Sequence, residues 1–231
     1  MTVGATSLDD AVSAVDLHLS FGATPALRGA DLTLAAGEVL ALMGPSGAGK
    51  STLLYCLAGI LRPDRGEVRV LGRPTADLTE RSRSELRLRT MGFVLQGGEL
   101  VPELTISENV ALPLQLLGTS HRESVERAAA MLETVGLGGA GARRTGAVSG
   151  GEAQRAAVAR ALVHEPEIVL ADEPTGALDT VNGEQVLDLL LTTARARGAS
   201  VLLVTHDHRV AAHADRVAVM RDGALVPERT T

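Results

Sequence analysis

The sequence predicts an α/β fold with a mainly parallel sheet, an antiparallel β portion near the amino terminus and a helical insertion in mid-chain. Three observations point there. Continuous apolar runs at Val39–Met43, Ile168–Ala171 and Val201–Thr205 suit strands buried on both faces, as parallel strands under helices are. Helical spacing separates these runs. From Leu104 to Leu162 the pattern is helical throughout, broken only by glycine-rich punctuation at Gly136–Gly141. The expected organisation is a single domain over 1–231, with a core of about 8–96 and 163–231 and a helical subdomain of about 97–162.

The first elements read as short strands at Val12–Leu19 and Ala30–Leu34. After the run at Val39–Met43 come glycines, then Lys50–Ala58 with Leu53, Leu54 and Leu57 at helical spacing and Gly59 as the stop. Pro63-Asp64-Arg65-Gly66 is a turn leading into a strand at Glu67–Leu71. Leu78–Leu88 is a polar surface helix, and Met91–Leu95 the next strand. Beyond the insertion, Gly183–Arg197 is a helix between two buried strands, and Val217–Met220 and Ala224–Val226 flank Asp222-Gly223 as a hairpin.

The chain has 231 residues, enough for a substantial core. Aromatics make up 1%, so aliphatic side chains must fill that core. A net charge of −6, a pI near 5.5 and the absence of Trp leave neither a basic footprint nor a stacking platform, so nucleic acid is not an expected partner. Cys56, the single cysteine, fits a reducing compartment and, among leucines, reads as a buried small hydrophobe. Met1–Asp10 lacks the basic-then-apolar pattern of a secretory signal, and the apolar runs are too short to cross a bilayer. The expectation is a soluble chain that reaches a membrane only through another protein. All other basic residues apart from histidine are Arg, so Lys50, the only lysine, calls for a specific reason to be an ammonium.

That reason lies in Gly44-Pro45-Ser46-Gly47-Ala48-Gly49-Lys50-Ser51, followed by Thr52, between a strand and a helix. Glycines let successive backbone N–H groups turn toward a triphosphate, and the helix start adds its positive end. Lys50 would reach the β- and γ-phosphates and the Ser51 hydroxyl would ligate Mg²⁺. Ile168–Glu173 is an apolar strand ending in two acids, and ligands gather at the carboxyl ends of parallel strands. Asp172 would hold Mg²⁺ and Glu173 would polarise the attacking water; read alone, the pair is equally a solvated strand end. Ser149-Gly150-Gly151-Glu152 is a Ser-x-x-Glu capping box before a helix, a second helix start suited to an anion.

With this second segment, Val148–Arg155, the sequence closely resembles the ABC ATPase family, whose signature motif it matches, and with it the P-loop NTPase core. In that family the signature of one subunit closes over ATP held by the phosphate loop of its partner. The resemblance implies that Phe21 stacks on adenine, a core phenylalanine being the alternative. Gln96 would sense Mg²⁺ and water, Asp179 lies in a segment that contacts the other subunit, and His206 contacts the γ-phosphate. Departures are Phe21 for the usual tyrosine, Val148 for leucine, Ala153 for glutamine, and the glycines at 97 and 98 after Gln96. Leu100–Val110, with Leu112-Pro113, is similar to the lipoprotein-releasing and macrolide-exporter branch, which includes ATPases paired with cell-division membrane proteins. The implied partners are a second such ATPase, expected as a homodimer, and an integral membrane permease. The implied location is cytoplasmic, on the inner face of the membrane. A regulatory ATPase of a non-transporting, cell-division-type complex is the alternative.

Overall fold

The computed structural model describes residues 10–226, so the reading of the amino terminus before Asp10 lies outside the described residues. In chain order the strands and helices begin β1 (Asp10–Phe21), β2 (Thr24–Ala35), β3 (Val39–Met43), α1 (Lys50–Leu57), β4 (Arg65–Val70), β5 (Arg73–Pro74) and α2 (Glu80–Thr90). They continue through β6 (Met91–Val94), α3 (Ile106–Leu116), α4 (His121–Thr134) and α5 (Gly150–Leu162). The last are β7 (Ile168–Asp172), α6 (Thr180–Ala196), β8 (Ser200–Val204), α7 (His208–Ala211), β9 (Arg216–Arg221) and β10 (Ala224–Val226). Two compact units divide them, residues 10–87 with 200–226 and residues 88–199.

In the first unit, β2, β1, β4 and β5 form an antiparallel sheet in that order. A second set centres on β3, which pairs parallel with both β8 and β9, while β9 pairs antiparallel with β10. All five residues of β3 and of β8 are buried, and all but Ser200 are apolar, which is why Val39–Met43 and Val201–Val204 read as apolar runs. Leu40, Leu42, Leu53, Leu54 and Leu57 are fully buried, so α1 buries its leucine face as its spacing predicts. Gly59, at φ 62, ends that helix in the left-handed conformation.

The second unit holds the parallel pair β6 and β7 and the helices α3 to α6. Side-chain caps start each of its long helices beyond α2: Thr105 for α3, Ser120 for α4, Ser149 for α5 and Asp179 for α6. Each such cap is worth about 1 kcal/mol. Two elements escape a reading of the sequence, the two-residue β5 and the four-residue α7. Neither is long enough to show a period. The β1–β2 hairpin is also longer than its predicted strands, because bulges interrupt the alternation between Ala14 and Leu17.

Candidate functional site

In the first unit, β3 ends at Met43 and the chain turns into the glycine-rich loop. The loop is held from beneath. A β-carbon on Gly44 would meet the Met220 carbonyl at 2.2 Å, and one on Gly49 would meet the Ala26 carbonyl at 2.6 Å. Only glycine allows the loop to lie this close to β2 and β9. Gly223, in the β9–β10 turn, donates its N–H to the Ala48 carbonyl at 3.0 Å and accepts from the Arg28 N–H at 2.8 Å. The terminal hairpin is therefore a strut for the loop, a role hidden in the sequence because Asp222-Gly223 carries only a turn signal. The outer side of the loop is open: Pro45, Ser46 and Gly47 are exposed, and a β-carbon on Gly47 would meet nothing within 4 Å.

Lys50 is 9% exposed, and its Nζ donates to the carbonyls of Gly44 at 2.8 Å and Pro45 at 3.1 Å. The ammonium is thus folded back over the curved loop, where it can offer its charge to an anion sharing that curve. Ser51 is exposed beside it at the start of α1, and Thr52 is half-buried. The β3–β8 register sets Leu42 opposite Val204, and the Thr205 N–H donates to the Leu42 carbonyl at 3.1 Å. His206 therefore leaves β8 at the same sheet edge as the loop, and it is exposed. Asp207 caps α7 and is gripped by Arg209, whose hydrogen bond is the main reason its carboxyl titrates below the ordinary aspartate range. Phe21, at the end of β1, is 56% exposed, which excludes the core alternative.

In the second unit the β6–β7 register sets Val94 opposite Ala171, so Gln96 and the Asp172–Glu173 pair emerge at one edge. Glu173 has φ 46, an uncommon conformation for a residue with a side chain. The Gly176 N–H returns to the Glu173 carbonyl at 3.0 Å, and a β-carbon on Gly176 would lie 3.0 Å from Gln96 Nε2. Gln96, Glu173 and Gly176 thus form one cluster. A second cluster surrounds the start of α5. Ser149 accepts from the Glu152 N–H at 3.2 Å, and the Glu152 carboxylate accepts from the Ser149 N–H at 2.8 Å. Arg143 donates to Glu152 at 2.8 Å and to the Ala147 carbonyl. The Ser149 N–H, then Arg143, hold the Glu152 carboxyl below its ordinary range, so it stays ionised at neutral pH. Ser149 and Gly150 are exposed, while Leu178 and Asn182 lie near Gly150 and Gly151. Asp179 caps α6, accepting from the Asn182 N–H at 3.1 Å and from the Asn182 side-chain amide at 2.6 Å. Arg143 is absent from the sequence reading, since an arginine six residues before the cap has no local signature.

Among the described residues no three His, Cys, Asp or Glu side chains form a metal-binding group. In the first unit Ser51 offers a hydroxyl, and in the second Gln96 and Asp172 offer an amide oxygen and a carboxylate. Oxygen donors of this kind suit a hard cation that takes most of its ligands from phosphate and water, as Mg²⁺ does.

The family model described as ABC transporter matches residues 27–176. The lipoprotein-releasing system ATP-binding protein LolD 2 of Caulobacter vibrioides is 45% identical over 208 residues, covering 90% of this chain and 91% of its own. A probable syringafactin export ATP-binding/permease protein, SyfD of Pseudomonas syringae, is 46% identical over 88% of this chain, which spans 31% of that longer protein. Among solved structures, the ATP-binding cassette MJ0796, dimeric in a post-hydrolysis state with ADP and Pi, superposes with a TM-score of 0.86 at 36% identity, over 94% of this chain and 97% of its own. Together with the glycine loop and the capped signature helix, these matches make the chain a member of the ABC transporter family and one of its ATP-binding, ATP-hydrolysing cassettes.

Proposed function

We propose that this cassette hydrolyses MgATP in a head-to-tail homodimer and that the resulting closure drives an integral membrane permease from the cytoplasmic face. The observation that carries the reading is the pair of glycine-lined helix starts, one at α1 behind the phosphate loop and one, exposed, at α5. A single γ-phosphate has no use for two such ends from one chain, whereas a shared site uses one from each. In this reading Phe21 packs on the adenine, and the N–H groups of residues 44–51 receive the phosphates. Lys50 leaves its two carbonyls for the β- and γ-phosphate oxygens. Ser51, Gln96 and Asp172 would hold Mg²⁺, which neutralises phosphate charge when bound. Glu173 accepts the proton of the attacking water, His206 donates to the γ-phosphate, and the partner's copies of residues 149–151 close over it.

ATP then stabilises the closed dimer because its contacts to the second chain exist only in that state. Loss of the γ-phosphate removes them, and the dimer opens. The helical segment at about 97–162 passes that motion to the permease. Similarity to LolD 2 supports the branch that releases lipoproteins, and similarity to SyfD is compatible with export. Glu173→Gln should keep ATP binding, lower turnover by about 10²–10⁴-fold and accumulate dimer with ATP. Light scattering checks this: twice the 23.9 kDa chain mass is expected with ATP. A monomer at saturating nucleotide would refute the shared site.

A further inference from the structure

The segment after β6 has little regular backbone bonding of its own. Gly97, Gly98 and Glu99 all have positive φ, at 73, 81 and 39. For Glu99, with a side chain, that conformation is costly and persists only where neighbours impose it. The neighbours are two side chains of α5. Gln154, 1% exposed, donates from Nε2 to the Leu95 carbonyl at 3.2 Å. Arg160 donates to the Glu99 carbonyl at 3.0 Å and, with its other Nη, to the Gly98 carbonyl at 3.1 Å. A β-carbon on Gly98 would meet the Ala153 carbonyl of α5 at 3.0 Å, so the loop lies against the helix backbone. Further along, buried Asn109 of α3 accepts from the Val101 N–H at 2.7 Å and donates to the Val101 carbonyl at 3.0 Å. Carbonyls that a helix or strand would satisfy are here satisfied by side chains.

We infer that Arg160 and Gln154 are positioning residues for Gln96, and that α5 thereby joins the signature segment at its start to the metal-sensing glutamine of the same chain. The inference rests on the proposed function, in which Gln96 meets the metal and residues 149–151 meet the partner's nucleotide. One helix presents Ser149 at its first turn and anchors the Gln96 loop along its length. A shift of α5 on engaging nucleotide in one site therefore displaces Gln96 in the other. A guanidinium spans two successive carbonyls, which a lysine ammonium cannot do with the same planar fork. Arg160 is half-buried, and a partly desolvated guanidinium needs acceptors.

The test uses Mn²⁺ as the probe, in the Glu173→Gln background with ATP, its binding followed by electron paramagnetic resonance. Arg160→Lys and Gln154→Met should each raise the Mn²⁺ concentration for half-saturation by about tenfold, as loss of an outer-shell partner does. ATP affinity measured in EDTA should not change. Gln96→Ala should produce the same loss, and adding Arg160→Lys to it should produce no more, because the two act in one chain of contacts. Hydrogen exchange at residues 96–100 should quicken in Arg160→Lys while exchange at 44–52 stays constant. Additive losses in the double variant, or unchanged Mn²⁺ binding in both α5 variants, would overturn the inference. If Gln96→Ala itself left Mn²⁺ binding unmoved, the metal role of Gln96 would fail first and carry the inference with it.

Discussion

Lys50 shows how much a single residue can contribute. Its isolation among arginines and its place after three glycines mark it in the sequence, and its ammonium lies over the carbonyls of Gly44 and Pro45. An arginine there would be bulkier and planar, ill suited to the tight curve. Lys50→Ala is expected to cost at least about 10²-fold in turnover together with most of the ATP affinity, because the same charge serves binding and reaction. Equilibrium binding of a fluorescent ATP analogue, with phosphate release, measures both. Cys56 is the opposite case. It is 1% exposed, and burial, with a smaller push from Asp64, raises its thiol to about 12. The thiolate being the reactive form, folded protein at pH 8 should resist dithionitrobenzoate for hours and react fully in denaturant. Prompt labelling without unfolding would contradict the packing around α1.

At the scale of elements, buried strands and capped helices are legible because each has a local cause. β3 runs from Val39 to Met43 as its unbroken apolar pattern predicts, and the capping box read at Ser149 starts α5, while the one at Thr105 that starts α3 is absent from the sequence reading. Of the candidate site, the residues of the two glycine-lined segments and the Asp172–Glu173 pair can be read in the same way. Supports whose partners are distant in sequence cannot. Gly223 reaches Ala48 across 175 residues and Arg160 reaches Glu99 across 61, and no spacing rule links either pair. The strut predicts a specific defect. At Gly223, φ 84, an alanine β-carbon would meet the Ala26 carbonyl at 2.8 Å, whereas at Gly72, φ 72, it would meet nothing within 4 Å. Both substitutions carry backbone strain of about 1–3 kcal/mol, but only Gly223→Ala should also weaken ATP binding. Melting temperature and ATP affinity, taken together, separate the two effects. Equal ATP affinity in the two variants would remove the strut.

For the whole molecule, the chemistry divides between two compact units of one chain. One carries the phosphate loop and His206, the other Gln96, Asp172, Glu173 and the signature segment. Among the described residues no helix is long and apolar enough to cross a membrane. The central claim is that the phosphate loop of one chain works with the signature of another. Mixing two inactive variants tests it most directly. Lys50→Ala keeps a sound signature, and Ser149→Arg keeps a sound phosphate loop. In a head-to-tail dimer of one of each, one composite site is intact and the other doubly defective. Each variant alone should hydrolyse almost no ATP, and an equal mixture should recover about a quarter of the wild-type rate, from half the dimers with half their sites. A mixture as inactive as its components, with mixed dimers shown to form, would mean that loop and signature serve the same chain.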